Sequence, residues 1–181
     1  MAFQNKVLLV RFRSSQWGRN RFDRMLTEET TTSHGMAREA GRFYKVLSAH
    51  SEVVRFARHI SSARHEHYKL SLPWTDGERI IKASRYRDYN EVAQGWISRA
   101  DEIYQRIYDG WPDIYQQANR DLGPAFDPHE LPLREQLRSK YQLQITYSRM
   151  GAVNNWAIGL SEEEERLLQA QAIEAYKDSV K

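Results

Sequence analysis

One strand-like segment lies on each side of the helical region of this chain, and these two segments constrain its fold more than any other feature. Residues 7–12 are short, apolar and rich in branched side chains, which predicts a strand. In residues 141–148, apolar positions alternate with Gln, Thr and Ser, as in a half-buried strand. Antiparallel pairing of these strands would bring the two ends of one domain together. Because an isolated strand pair is marginally stable, helices must pack against it.

Helical periodicity fills much of the sequence between these strands. From residue 36 to about residue 68, apolar side chains recur at steps of three and four, which predicts a long amphipathic helix. A second long helix is predicted from Glu78 or Arg85 to Tyr108, and a short one over residues 113–121. We therefore expect a predominantly helical α+β fold, with a long antiparallel helix pair and a small two-stranded β element.

Polar and turn-forming segments separate these elements. Residues 13–33 form a polar, arginine-dense stretch with a turn at Trp17-Gly18 and a loop at its end. Pro73, followed by Asp76-Gly77, predicts the end of the first long helix and a turn. Near Asp127 an N-cap acceptor precedes proline and glutamate, which predicts a helix start that lasts one turn or begins later.

The last part of the sequence differs in pattern from the rest. Residues 151–159 are typical of a linker, and Ser161 with the following glutamates forms a capping box whose acidic first turn suits the helix dipole. The predicted organisation is thus a helical α+β domain over residues 1–150, followed by a linker and C-terminal helix over residues 151–181.

The charge of the chain is divided unequally along its length. Residues 1–87 hold 17 Lys and Arg against 8 Asp and Glu, whereas residues 88–181 hold 10 against 16. Such asymmetry favours an acidic or polyanionic partner for the basic half. Alternatively, the two halves pair with each other in the folded chain, and the sequence alone leaves both interpretations open.

The basic residues near the N-terminus are interleaved with aromatic ones, a pattern that suits nucleic acid because guanidinium groups pair with phosphates and rings stack on bases. Further arginines follow and extend the same pattern. The residues predicted to bind a partner or nucleic acid are Arg11, Arg13, Trp17, Arg19, Arg21, Arg24, Arg55 and Arg58.

Sequence motifs for catalysis are absent. The chain has no cysteine, which excludes disulfides, thiol nucleophiles and thiolate metal sites and suits a cytoplasmic protein. No nucleophile-elbow, phosphate-loop or dinucleotide motif occurs. His59, His65 and His67 are a weak metal pattern, because a spacing of two places histidines on different helix faces. We expect no enzymatic activity, no metal and no cofactor, and no segment is long and apolar enough to span a membrane.

Several local patterns are shared with a known family. They are the opening strand at residues 7–11, Trp17-Gly18-Arg19, the predicted arginine-bearing helix around residues 37–47, and the stretches 104–111 and 133–147. In these patterns, over about residues 5–150, the chain resembles a bacterial and phage family of unknown function encoded near cobaltochelatase-like AAA ATPases. The resemblance implies an accessory, mostly helical protein of phage or prophage origin, and it assigns no functional residue.

Taken together, the patterns predict a macromolecular interaction protein rather than an enzyme. The preferred partner is a protein, including a host complex or a second copy of the chain in an oligomer, since long helices with aromatic faces suit assembly. Binding of DNA or RNA through the arginine and aromatic stretch is the alternative. A metal-dependent hydrolase using the three histidines would require bound metal.

Overall fold

Helices and short strands are interspersed along the chain, and the fold is α+β, as predicted. The computed structural model describes residues 7–37, 39–75 and 77–149. In chain order the elements are β1 (Val7–Ser15), β2 (Asn20–Phe22), α1 (Arg24–Ser33), β3 (Tyr44–Val46), α2 (Ser51–Leu70), β4 (Leu72–Thr75), β5 (Glu78–Lys82), α3 (Tyr86–Asp109), α4 (Trp111–Leu122), α5 (Leu137–Lys140) and β6 (Gln142–Arg149). The predicted linker and C-terminal helix lie outside the described residues.

The chain divides into two compact units. The first contains the described residues up to Arg13, Ser62–Ile97 and the described residues from Gln144 onward. The second contains Ser14–Ser61 and Ser98–Leu143. None of the helices in the described ranges combines the length and the apolar composition that a membrane span requires.

The larger sheet has four strands in the order β4-β5-β1-β6. The two strands predicted from alternation, β1 and β6, are neighbours in it, as the sequence analysis expected. On its other side β1 pairs antiparallel with β5, with Val7 opposite Lys82 and Val10 opposite Arg79. Val7 and Val10 are buried, so the apolar side chains of the strand contribute to the core of the first unit.

The predicted two-stranded β element was too small, because β4 and β5 were read as a turn and a helix start. Gly77 sits between these strands with φ of +81°, a conformation that glycine adopts without steric cost. Ile80 and Ile81 in β5 are both buried, and two adjacent apolar positions do not show strand alternation. Pro73 is accommodated in β4, the strand at the edge of the sheet.

The helix predicted over residues 36–68 begins only at Ser51. The Ser48 hydroxyl accepts a hydrogen bond from the His50 backbone N–H, and His50 Nδ1 accepts one from the Glu52 N–H. These side-chain acceptors satisfy donors at the helix start, where no backbone partner exists. The residues before them include β3 and were assigned to the helix because Met36, Phe43 and Leu47 lie at helical spacing, although Met36 and Phe43 are exposed.

The polar stretch over residues 13–33 is more ordered than the predicted loop, since it contains β2 and α1. Asp23 caps α1, and its carboxylate accepts a hydrogen bond from the Leu26 N–H at 3.0 Å. The hydroxyls of Thr27 and Thr31 each donate to a backbone carbonyl four residues earlier. Threonine is a poor helix former, which is why the segment resembled a loop.

The long helices α2 and α3 contact each other within each unit. In the first unit, Trp96 Nε1 donates to Glu66 at 2.7 Å. In the second unit, Arg106 Nε donates to Glu52 at 2.9 Å. The late part of α2 thus meets the early part of α3 in one unit, and the early part of α2 meets the late part of α3 in the other. These contacts are those of the predicted antiparallel pair.

Candidate functional site

The residues predicted to bind a partner are distributed over both units of the chain. Arg11 and Arg13 lie on β1 in the first unit. The remaining six are in the second unit, in the loop after β1, on β2, at the start of α1 and along α2: Trp17, Arg19, Arg21, Arg24, Arg55 and Arg58. The second unit therefore holds most of the predicted binding residues and is described first.

Four of the predicted arginines form ion pairs within their own unit. The pairs are Arg11 with Glu78 at 2.6 Å, Arg24 with Glu28 at 3.0 Å, Arg55 with Glu52 at 2.9 Å, and Arg21 with Glu130 at 3.8 Å. Among the described residues, Arg13, Arg19 and Arg58 have no carboxylate partner. Exposed pairs of this kind contribute little to stability, so the arginines of the second unit remain accessible to a partner.

The aromatic rings between these arginines differ in their surroundings. Phe12 stacks on His67 with centroids 5.4 Å apart, and the Arg64 guanidinium lies 5.2 Å from its centroid. Trp17 packs edge-on against Trp111 in the second unit. Phe22 differs from both, since 46% of it is exposed. Of the three interleaved rings, Phe22 presents the largest surface to solvent.

Phe22 belongs to a small antiparallel sheet in which β2 pairs with β3. Phe22 lies opposite Tyr44, and Asn20 lies opposite Val46. Alternate residues of a strand share a face, so Phe22, Tyr44 and Val46 lie on the same side, where the first two rings meet edge-on at 5.7 Å. Tyr44 is 53% exposed and Val46 is 45% exposed. We call this side of the sheet, Phe22 with Tyr44 and Val46, the hairpin face, although α1 lies between the two strands in the sequence.

The opposite side of the same sheet is attached to the rest of the second unit by charges. The Lys45 ammonium lies 2.7 Å from Glu130 and 3.7 Å from Asp23. It also donates a hydrogen bond to the Ala125 carbonyl at 3.1 Å. Only 10% of the Lys45 side chain is exposed. This buried ion pair holds one side of the strands inward and leaves the hairpin face outward.

Further apolar side chains near these strands are exposed. Met25, in the first turn of α1, is 81% exposed, and Met36 and Phe43 precede β3 and are also exposed. The sequence analysis had placed Met36 and Phe43 on the buried stripe of a helix, so it missed this surface. The exposed apolar patch could not be found from periodicity, because the same spacing is typical of a core.

A cavity of about 260 Å³ lies in the second unit next to Trp17-Gly18-Arg19. Its wall also includes Tyr141, which is buried against Phe56 with centroids 5.0 Å apart. Burial raises the pKa of the Tyr141 hydroxyl, which therefore stays protonated at neutral pH. That hydroxyl has no hydrogen-bond partner among the described residues.

The histidines considered as metal ligands do not form a metal site in the described structure. His59 and His65 lie on α2, and His67 is buried with Nδ1 2.6 Å from the Tyr89 hydroxyl. In the described residues, no three His, Asp or Glu side chains are grouped so as to hold a metal ion. The buried position of His67 reflects a hydrogen bond that the sequence did not predict.

In comparisons with known proteins, no family model matches this chain, and no curated protein and no solved structure matches it either. The resemblance to a phage family of unknown function therefore stays a prediction.

Proposed function

We propose that this chain is an interaction protein that binds a protein partner through the hairpin face and through exposed Met25, which follows Phe22 by three residues in the sequence. The observation that carries the proposal is the asymmetry of the small sheet. One side is bound to the second unit through the buried Lys45 ion pair, while the other side presents Phe22, Tyr44 and Val46 to solvent. A contiguous exposed apolar patch on a folded protein is typical of an interaction site.

The composition of this surface supports a protein partner. Interface centres are enriched in aromatic residues, methionine and arginine relative to the remaining protein surface. The hairpin face supplies two aromatic rings, and Met25 supplies an exposed thioether. Methionine adapts its shape to irregular partner surfaces because its side chain is unbranched and flexible.

The charges around the hairpin face indicate the chemistry of the partner. Arg24 is exposed and lies two residues after Phe22 in the sequence, whereas Arg21 lies opposite Lys45 on the other side of the small sheet. The Arg24 guanidinium pairs with Glu28 in an exposed contact on α1, which is weak in water and leaves this positive group accessible at the rim. A partner with an apolar centre and acidic residues around it would match this pattern.

The proposal is tested by purification from the native host with a photoreactive phenylalanine analogue at Tyr44. The analogue at Gln116, an exposed position on α4 in the same unit, serves as the control. We expect a protein adduct from position 44 in nuclease-treated extract and none from position 116. The adduct should be retained after nuclease treatment, because the partner is a protein.

A paired substitution measures the energetic contribution of the surface. Changing Phe22→Ser and Met25→Ser together removes two apolar side chains that a partner would cover. At about 1.5 kcal/mol for each side chain, affinity for the adducted partner should fall about a hundredfold. Leu133→Ser is the matched control, because Leu133 is 63% exposed in the same unit and lies outside the surface. Equal affinity of the paired variant and the control would refute the proposal.

Two other results would also contradict it. Loss of the captured material after nuclease treatment, with binding that weakens steeply with salt, would indicate nucleic acid instead. A purified wild-type chain that self-associates, with the association abolished by Phe22→Ser and Met25→Ser, would show that a second copy covers the surface.

A further inference from the structure

A second cavity, of about 320 Å³, lies in the first unit and is independent of the hairpin face. Side chains from the end of α2 and from the β4 and β5 hairpin line it, including Arg64, His67, Tyr68, Glu78 and Arg79. Its volume is at the lower end of the range of about 300–1,000 Å³ for small-molecule sites. It is therefore large enough for a compact ligand but not for an extended one.

Arg79 is held in place by neutral hydrogen-bond acceptors. Its Nε donates to the Ser71 hydroxyl at 2.8 Å, and its Nη2 donates to the Ser71 carbonyl at 2.7 Å and the Tyr68 carbonyl at 3.2 Å. The guanidinium also lies 4.6 Å from the centroid of the Tyr68 ring. Among the described residues Arg79 has no carboxylate partner, so its charge is positioned in the cavity wall without being neutralised.

His67 adds a neutral polar ring to the same wall. Its Nδ1 lies 2.6 Å from the Tyr89 hydroxyl, and burial raises the pKa of Tyr89. Burial, followed by the charges of Arg79 and Arg64, lowers the pKa of His67 to about 4. The ring is therefore neutral at pH 7, and its Nδ1 and the Tyr89 hydroxyl share one hydrogen bond.

The only carboxylate among the described lining residues, Glu78, is already paired. Arg11 lies 2.6 Å from its Oε1, so the cavity retains the positive charge of Arg79. The rings of Phe12 and Tyr68 form apolar parts of the wall. A fixed guanidinium beside neutral polar groups and rings suits recognition of a planar or tetrahedral oxyanion.

We propose that this cavity binds a compact oxyanion, a carboxylate or phosphate group on a small molecule, with Arg79 as its main contact. The two ligand sources share the same chemistry, so the test uses one probe for each. Inorganic phosphate and benzoate are titrated separately into isotope-labelled full-length protein at constant ionic strength, with chloride as the balancing anion. Binding is followed through the Arg79 Nε–H and His67 ring resonances.

We expect saturable shifts of these resonances with at least one probe, and the tighter probe identifies the ligand class. Arg79→Gln should weaken that binding at least tenfold, whereas Arg85→Gln should leave it unchanged. Arg85 is an exposed arginine of the same unit, in the turn before α3. The proposal would be overturned if the resonances shifted linearly with the concentration of both probes, without saturation. It would also be overturned if chloride alone produced the same shifts as the probes.

Arg79 also stabilises the end of α2 by binding its carbonyls, so Arg79→Gln could weaken binding through local unfolding. Glu78→Gln separates the two explanations, because it removes a negative charge from the cavity and leaves Arg11 unneutralised. A unit charge a few ångströms from the anion changes affinity about threefold or more even in a high dielectric, so Glu78→Gln should tighten binding by that factor. Unchanged or weaker binding in Glu78→Gln would refute an anion site at this position.

Discussion

The buried His67 makes the stability of the first unit sensitive to acid. The residue is 2% exposed, and its ring stacks on Phe12 and shares a hydrogen bond with the Tyr89 hydroxyl. Protonation would place a charge in this enclosed position next to Arg79 and would make both ring nitrogens donors. We predict that the free energy of unfolding falls as pH is lowered from 7 to 4, and that His67 causes a defined part of the loss.

The size of this loss follows from the difference between two pKa values. His67 has a pKa of about 4 in the folded chain and about 6.5 when unfolded. Between these values the unfolded chain binds more protons, so stability increases with pH and is lost as pH falls through the folded pKa. The full difference between these two pKa values corresponds to a loss of stability of about 3 kcal/mol, at 1.36 kcal/mol per pKa unit. Because the ring borders an open cavity that water can enter, we expect about 2 kcal/mol.

Urea unfolding at pH 7, 6, 5 and 4 measures this effect when the wild-type chain is compared with His67→Asn. The asparagine amide oxygen can accept the Tyr89 hydroxyl proton near the position of Nδ1, but it does not titrate in this range. The variant loses ring packing at every pH, so the informative quantity is the change in its stability between pH 7 and 4. That change should be smaller than in the wild-type chain by about 2 kcal/mol.

His65→Asn controls for the removal of any histidine from α2, because His65 is exposed on the same helix. It should reproduce the wild-type pH dependence. The prediction is wrong if the free energy of unfolding of His67→Asn and that of the wild-type chain decrease by the same amount between pH 7 and 4. It also fails if the His67 ring titrates near 6.5 when observed by nuclear magnetic resonance in the folded chain.

Three further substitutions test the packing and backbone arguments by thermal or urea unfolding. Tyr141→Phe removes a buried hydroxyl that has no described partner, so stability should stay level or rise by up to about 1 kcal/mol, and a clear loss would contradict this. Gly77→Ala places a side chain at φ of +81° and should cost about 1 kcal/mol, whereas Gly18→Ala, which meets no atom within 4 Å, should be near neutral. Glu130→Gln removes the closest carboxylate from buried Lys45 and should lower the free energy of unfolding by about 3 kcal/mol. A decrease below about 0.5 kcal/mol would show that this ion pair does not hold the small sheet in place.

Sequence periodicity predicted the elements whose burial pattern is regular. Strands β1 and β6 and helix α4 lie where alternation and helical spacing placed them, and α3 begins next to Arg85, one of its two predicted starts. The missed elements share a different property. Strands β2 and β3 are three residues long and are stabilised by Lys45, Asp23 and Glu130, and the last of these comes from a distant part of the chain. A pattern read within a short window cannot include such a contact.

The candidate sites could also be predicted only in part from local sequence patterns. The sequence analysis selected Trp17, Arg19, Arg21 and Arg24 from their composition, and these residues do lie in one unit near the small sheet. Tyr44 was not selected, because it lies in a segment that was predicted to be part of a long helix. The position of Arg79 in the cavity wall was also not predicted, since it depends on the carbonyl groups of Tyr68 in α2 and of Ser71 just after it rather than on neighbouring charges in the sequence.

The unequal charge of the two halves of the sequence remains largely uncompensated in the described structure. If the halves neutralised each other, most ion pairs would join residues 1–87 to residues 88–149. Most of those formed by residues 1–87 instead stay within that half, as with Arg24 and Glu28. Among the described residues, the pairs that join the two halves are those of Arg21 and Lys45 with Glu130, and that of Glu52 with Arg106. Each ion pair within residues 1–87 contains one positive and one negative group. Such pairs therefore leave the positive excess of these residues on the surface. That excess favours acidic ligands for both the hairpin face and the Arg79 cavity.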